Sequence, residues 1–186
     1  IGKIGIDEKV LNKPGKLTPE EFEVMKTHSM LGAKMLHDLD NFAEQPLLQT
    51  AYEIARWHHE RWDGRGYPDG LKDDEIPISA QLVSLADVYD ALTSKRCYKN
   101  AYDHETAMNM IMSGECGAFN PLLLKCLYEI SPKLRMVVEG DMGEETYRQE
   151  ADRLAADVMK KKSMPYSDRA QRMLESMQER LEVFSS

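Results

Sequence analysis

ARWHHERWDGRGYPDGL, residues 55–71, is the stretch on which the reading of the fold turns. Apolar positions Ala51, Ile54 and Ala55 continue through His58 to Trp62 at helical spacing, so a helix is expected over about 46–62, with His58 on its apolar stripe. His59 then lies about 100° further round. Past Trp62 the pattern stops: Gly64, Gly66, Pro68 and Gly70 demand a loop, fixed by its turns, as far as Pro77. Paired imidazoles beside a stiff loop suggest more than packing.

Upstream, Thr18-Pro19-Glu20-Glu21 has the form of a helix start: Thr18 as N-cap, Pro19 in the first turn and Glu21 placed for a capping box. The helix is expected to reach about Asp38, with Met25, His28, Gly32 and Met35 inward and Phe22 leading in. Downstream, a helix over about 78–94 carries Ala80, Val83, Asp87 and Ala91 on one face, with Asp90 beside them. This sets a carboxylate in an apolar stripe. Two or three shorter helices are expected over 103–131, interrupted by Gly114, Gly117 and Asn120-Pro121. No alternating strand pattern, internal repeat or low-complexity tract is found, and the expected fold is all-α.

Beyond residue 131 the chain changes character. Amphipathic patterns run over 144–162, through Tyr147, Ala151, Leu154, Ala155 and Val158, and over 168–184, through Met173, Leu174, Met177, Leu181 and Phe184. The expected organisation is a helical domain over 1–131 and a C-terminal helical extension over 132–186. That extension either packs back as an αα-hairpin or forms a dimer seam.

The composition narrows the function classes. The 186 residues, 42% hydrophobic and 30% charged, suffice for one soluble domain with a real core. Mean hydropathy is −0.54 and no apolar run of membrane-spanning length occurs, so no membrane segment or signal peptide is expected. Cys97, Cys116 and Cys126 form no CxxC, which disfavours a disulfide framework or cysteine-built zinc site and favours the cytoplasm. A net charge of −8 argues against binding a nucleic acid polymer, though a small anion in a local basic pocket stays open.

Three helices thus each turn ligand-type residues inward: His28, the His58/His59 pair and Asp87. One such residue is usually a satisfied core group or a cap. Their coincidence favours a metal site, since a cation of the Zn, Fe, Mn or Ni type removes the cost of burying them. Adjacent histidines splayed on a helix suit two neighbouring metals better than one, and two ions about 3.5–4 Å apart suit phosphoester hydrolysis. Lys3, Arg96 and Lys99 fit that chemistry as phosphate-holding cations; solvated charges at a helix C-terminus are the alternative for Arg96 and Lys99.

HHERWDGRGYPDGL (58–71) and IPISAQLVSLADVYDALTSKRCYK (76–99), with IGKIGI (1–6) and KPGKLTPEEFEVMKTHSMLGAKML (13–36) before them, resemble the HD-GYP domain, a bacterial branch of the HD metal-dependent phosphohydrolases. The resemblance runs from Ile1 to about Ile130, and Gly66-Tyr67-Pro68 is the signature itself. It implies an all-helical HD domain binding two or three divalent metals, commonly iron or manganese, and hydrolysing cyclic di-GMP to pGpG or GMP in the bacterial cytoplasm. By its motifs His28, His58, His59 and Asp87 are metal ligands, and Asp87 and Lys3 belong to the catalytic set. Lys3, Arg96 and Lys99 hold substrate phosphate. Gly66, Tyr67 and Pro68 shape the substrate site's rim and meet partner proteins. A homodimer is compatible with it.

The chain departs from the family pattern in places. The naming His-Asp dyad falls immediately before IGK, and Ile1 follows it, so truncation is expected to account for its absence. His37-Asp38 spells the dyad but precedes LDNF and is expected to be a surface cap. Cys97, Asn120 and Asp73-Asp74 replace commoner family residues without touching a ligand. The rival expectation is a catalytically incompetent module that binds a cyclic dinucleotide or a partner protein; an HD hydrolase acting on another phosphoester is a weaker one.

Overall fold

Thr18 opens the second helix of the chain as its sequence predicts. Its Oγ1 accepts the Glu21 N–H at 3.3 Å while the Glu21 carboxylate accepts the Thr18 N–H at 2.7 Å, a complete capping box. The computed structural model describes residues 1–39, 42–95 and 100–140, together with positions 146 and 149. Those residues form seven α-helices and no strand: α1 Glu8–Leu11, α2 Pro19–Lys26, α3 His28–His37, α4 Pro46–Trp57, α5 Ile78–Thr93, α6 His104–Met112 and α7 Pro121–Val138. The all-α expectation holds. Arg96, Cys97 and Lys99 lie outside the described residues, as do the amphipathic patterns at 144–162 and 168–184 apart from the two isolated positions.

The helix expected to run unbroken to Asp38 is two helices. At Thr27 the main-chain N–H reaches back to the Val24 carbonyl at 3.1 Å, and Thr27 Oγ1–H donates to the same oxygen at 2.7 Å. A hydroxyl competing for a helix carbonyl tightens the turn there. The break re-phases the buried face. His28, Ser29, Gly32, Ala33 and Leu36 are buried on α3, whereas Met35 (39% exposed) and Phe22 (48%), both expected inward, face outward.

A short 3-10 turn, Gly2–Gly5, lies directly on α3. A Cβ on Gly2 would collide with the His28 carbonyl and come within 2.5 Å of the Gly32 nitrogen. Only glycine permits that approach. His28 and Gly32, four residues apart on one helix face, therefore receive the IGK segment and bring Lys3 to the same end of α3.

Helix α3 packs on α4, and α4 on α5, where Ser79 Oγ–H donates to Glu53 at 2.7 Å. The main core lies beyond, between α5, α6 and α7: Leu85, Tyr89 and Leu92 meet Ala107, Met108 and Ile111, closed by Leu123 and Leu127. Each large apolar side chain buried there is worth about 1.5–3 kcal/mol. Polar ties cross the same seam, linking Tyr89 Oη to His104 Nδ1 and His104 Nε2 to Ser131 Oγ, both at 2.8 Å. Ile1–Val138 is one compact unit, and α7 passes residue 131 without a break. No helix among the described residues is long and apolar enough to cross a membrane.

Candidate metal centre

Helix α4 ends at Trp57, earlier than its periodicity implies, so His58 is its C-cap and His59 lies in the following turn. This overturns the expectation that the pair must splay. Off the helix, the two rings lie 4.1 Å apart at an interplanar angle of 39°, and both meet His28 from the start of α3, at 5.3 and 5.0 Å between centroids. One ligating nitrogen from each of the three lies within 4.8 Å of the others. All three imidazoles can therefore address one ion, and ring divergence does not by itself require two.

The hydrogen bonds decide which nitrogens are offered. His28 Nδ1–H donates to the Met25 carbonyl at 2.7 Å and His58 Nδ1–H to the Ile54 carbonyl at 2.8 Å. A carbonyl can only accept, so each neutral ring carries its proton on Nδ1 and its lone pair on Nε2. Those Nε2 atoms face each other at 3.2 Å. Two lone pairs at that separation repel unless a cation lies between them. Carbonyl-oriented histidines converging in this way fit a divalent transition metal, which takes neutral imidazole nitrogen.

Electrostatics keep the rings in that neutral form. Burial lowers the pKa of His28 and His58 below the ordinary imidazole value, and Lys3 adds its repulsion to both. His59 is pushed down to about 3, by burial first and then by His58, His28 and Lys3. Lys3 itself is exposed, yet its charge reaches all three rings.

Asp87 departs from expectation. The buried positions of α5 are Ala80, Gln81, Leu85, Tyr89 and Leu92, which leaves Asp87 exposed and outside the three-imidazole cluster. Of the expected stripe, Ala80 is buried and Val83 and Ala91 are half-buried, while the core formed with α6 and α7 takes Leu85, Tyr89 and Leu92 instead of Asp87. Asp87 still lies close enough for its charge to offset part of the burial-driven fall in the pKa of His58 and to add to the burial-driven rise in that of Tyr67.

The loop after His59 folds back over it. Gly66 crosses the main chain so closely that a Cβ would collide with Glu60 Cα and Arg61 N and lie 2.6 Å from the His59 carbonyl. That approach lets Tyr67 N–H donate to the His59 carbonyl at 3.2 Å and stacks the Tyr67 ring on the imidazole, 4.8 Å between centroids at 28°. The Tyr67–Pro68 peptide is cis. Phe22 meets Tyr67 edge-on, and Lys26 Nζ lies 5.5 Å from the Phe22 ring centre and 5.7 Å from that of Tyr67.

Further residues that the sequence reading passed over hold this loop. Asp69 receives Arg56 through two bonds, at 2.7 and 3.0 Å, and Trp57 Nε1–H at 2.7 Å. Glu60 accepts the Asp69 and Gly70 N–H groups on one oxygen, at 2.7 and 3.0 Å. The signal for Glu60 and Lys26 was present, since Glu60 follows His59 directly and Lys26 stands two residues before His28 in the quoted motifs. Arg56 and Trp57 carried no signal beyond their place at a helix end. His37 and Asp38 are exposed at the C-terminus of α3, 3.6 Å apart, in keeping with a surface cap.

A family model described as an HD domain matches residues 1–119. The chain belongs to the HD domain family. Similar proteins include a probable cyclic di-GMP phosphodiesterase of Vibrio cholerae, 49% identical over 126 residues, which cover 67% of this chain and 29% of that protein. A cyclic di-GMP phosphodiesterase of Thermotoga maritima is 44% identical over 146 residues, 78% of this chain and 39% of that one. A 3'3'-cGAMP-specific phosphodiesterase of Vibrio cholerae is 41% identical over 129 residues, 69% of this chain and 24% of that one. This HD domain therefore spans well under half the length of the relatives it matches.

Proposed function

We propose that this HD domain is the catalytic part of a metal-dependent phosphodiesterase that hydrolyses cyclic di-GMP to pGpG, GMP or both in bacterial second-messenger signalling. The observation that carries the reading is the pair of Nε2 lone pairs of His28 and His58 facing each other, with His59 alongside. The names of the similar proteins supply the substrate class. Two or three divalent cations, iron or manganese foremost, are proposed, the imidazoles holding one and Asp87 facing another from the rim.

Divalent cations bound there would supply a water activated near neutral pH and positive charge toward the phosphoryl oxygens. The chain's own residues do the rest. His28 and His58 keep their lone pairs aimed by donating from Nδ1 to main-chain carbonyls. Lys3, exposed beside the imidazoles, neutralises a non-bridging phosphate oxygen, and Arg96 and Lys99 are proposed to share that task. Gly66, Tyr67 and Pro68 wall the site beside His59, where the Tyr67 ring gives a nucleobase a flat neighbour and the loop's outer side is offered to partner proteins. A homodimer and a cytoplasmic setting complete the proposal.

The test is product analysis with the full-length protein loaded with Mn²⁺ or Fe²⁺, given cyclic di-GMP and 3'3'-cGAMP in parallel. Release of pGpG or GMP supports the reading. Preferential loss of 3'3'-cGAMP changes the substrate. Tight binding of either dinucleotide without turnover, despite full metal loading, favours a receptor and rejects the enzyme.

A further inference from the structure

Glu60 follows the histidine pair directly, is 3% exposed, and spends its carboxylate on the main chain of the loop opposite. Its Oε1 gathers the N–H groups of Asp69 and Gly70, while Oε2 is buried without a hydrogen bond among the described residues. A buried carboxylate with one oxygen unsatisfied is a costly way to pin a loop. The surroundings also hold it still: the space left between Glu60, Trp62, Ile76, Gln81 and Phe119 is about 10 Å³. That is room for about one water at most, a small cavity for a carboxylate to move into.

What the clamp fixes is the Tyr67 ring. Tyr67 lies between Gly66, pressed on the Glu60 main chain, and the Asp69–Gly70 amides bound by the Glu60 side chain. Both ends of the short Gly66–Gly70 segment thus refer to one residue. The ring between them stacks on His59, whose own nitrogens, among the described residues, have no main-chain acceptor comparable to Met25 for His28 or Ile54 for His58. Orientation of the third imidazole falls to the stack.

We infer that Glu60 is a positioning residue for the metal centre, acting through the Asp69–Gly70 amides and the Tyr67 ring to set the plane of the His59 imidazole. The inference rests on reading the three imidazoles as metal ligands. It assigns the glycine-rich loop a task inside the site: the loop holds a ligand, and Glu60 holds the loop. Residues that orient metal ligands from behind typically change metal affinity by about 10–100-fold when removed.

The test uses the full chain with Co²⁺, whose visible absorption reports the nitrogen ligands, and hydrogen exchange at the loop amides without metal. Glu60→Ala should speed exchange at Asp69 and Gly70, weaken Co²⁺ binding at least about tenfold and alter the absorption bands. Glu60→Gln, which keeps an acceptor oxygen, should recover most of both. Tyr67→Leu should weaken Co²⁺ binding similarly, and Glu60→Ala added to it should cost little more, the non-additivity of residues acting in series. If Glu60→Ala loses its helical spectrum, Tyr67→Leu carries the test, and unchanged Co²⁺ affinity and bands in that variant overturn the inference. Faster exchange with unchanged Co²⁺ affinity and bands overturns the inference, as does full additivity. Failure of the wild-type chain to bind Co²⁺ overturns the metal reading itself, and this inference with it.

Discussion

His28 Nε2 lies 3.2 Å from His58 Nε2, and the other nitrogen of each ring donates to a main-chain carbonyl. Neutral rings so arranged turn two lone pairs on each other, a contact that a cation converts from repulsion to attraction. Metal should therefore stabilise the fold. At a free Mn²⁺ concentration a hundredfold above its dissociation constant, linkage contributes about 2.7 kcal/mol, or roughly 5–10 °C in Tm for a chain of this size. Calorimetry with Mn²⁺ and then with a chelator measures it, and His28→Ala should show little or no rise.

Lys3 enters with the opposite sign. Its charge lowers the pKa of all three imidazoles and must equally repel a cation seated among them. Lys3→Gln should bind Mn²⁺ a little more tightly, by a few-fold at most because the side chain is exposed and screened. Turnover should fall by about 10–100-fold if the ammonium meets a phosphate oxygen in the transition state. Titration calorimetry beside steady-state kinetics separates the two, and a parallel loss of affinity and turnover would make Lys3 merely structural.

Gly66→Ala tests the closeness of the loop. The added methyl meets main-chain atoms of Glu60 and Arg61, which cannot rotate away as a side chain could. A cost of about 1–3 kcal/mol, the usual range for overpacking, is expected in urea unfolding, together with loss of the Tyr67 stack on His59. An Ala variant of wild-type stability that binds metal normally would show that the loop can lift off the site without consequence.

Much of this was legible in the residues. The all-α class, the capping box at Thr18 and the loop from Asp63 follow from local chemistry, because period, caps and turn residues act within a few positions of themselves. The identity of His28, His58 and His59 was equally plain. What could not be read was phase. A single hydroxyl, Thr27, divides a run that looks continuous, and α4 stops at Trp57 although its apolar pattern persists through His58 to Trp62. Asp87 is exposed rather than buried for the same reason: the stripe an isolated helix offers and the stripe its neighbours cover differ. Glu60 was hidden in a further way, since the amides it binds are nine and ten residues ahead and belong to a loop whose path no periodicity describes.

Acid should loosen the loop through Asp69. The Arg56 guanidinium, with the Trp57 indole N–H, lowers the Asp69 carboxyl below its ordinary 3.8. A group depressed in the folded state lends stability that is complete above its unfolded value and is lost as pH falls through the folded one. The gap in unfolding free energy between wild type and Asp69→Asn, from urea titration, should therefore be full at pH 6 and close as pH falls below about 4. It should be near 1 kcal/mol, since the pair is bidentate but partly exposed. Emission from the two tryptophans, Trp57 and Trp62, offers a local readout of the same change. A gap that persists unchanged to pH 3 would mean that the ion pair does not hold the loop.

Ile111 separates stability from chemistry. It is fully buried on α6 against the α5 and α7 core, whereas the imidazoles come from α3 and the end of α4. Helix α5 and the 117–120 segment link the two regions: α5 packs Leu85 and Tyr89 inward, while Phe119 packs on that core and Ala118 accepts the Trp62 N–H at 3.1 Å. Truncation to alanine leaves a cavity in that core, at a cost of about 2–5 kcal/mol. Under conditions where the variant stays folded, its Mn²⁺ affinity should match wild type, because neither the Nδ1 bonds of His28 and His58 nor the Tyr67 stack passes through α6. Loss of metal affinity in a folded Ile111→Ala chain would show that α5 or the 117–120 segment transmits strain from core to site, and that the metal centre depends on packing well beyond the elements that carry its ligands.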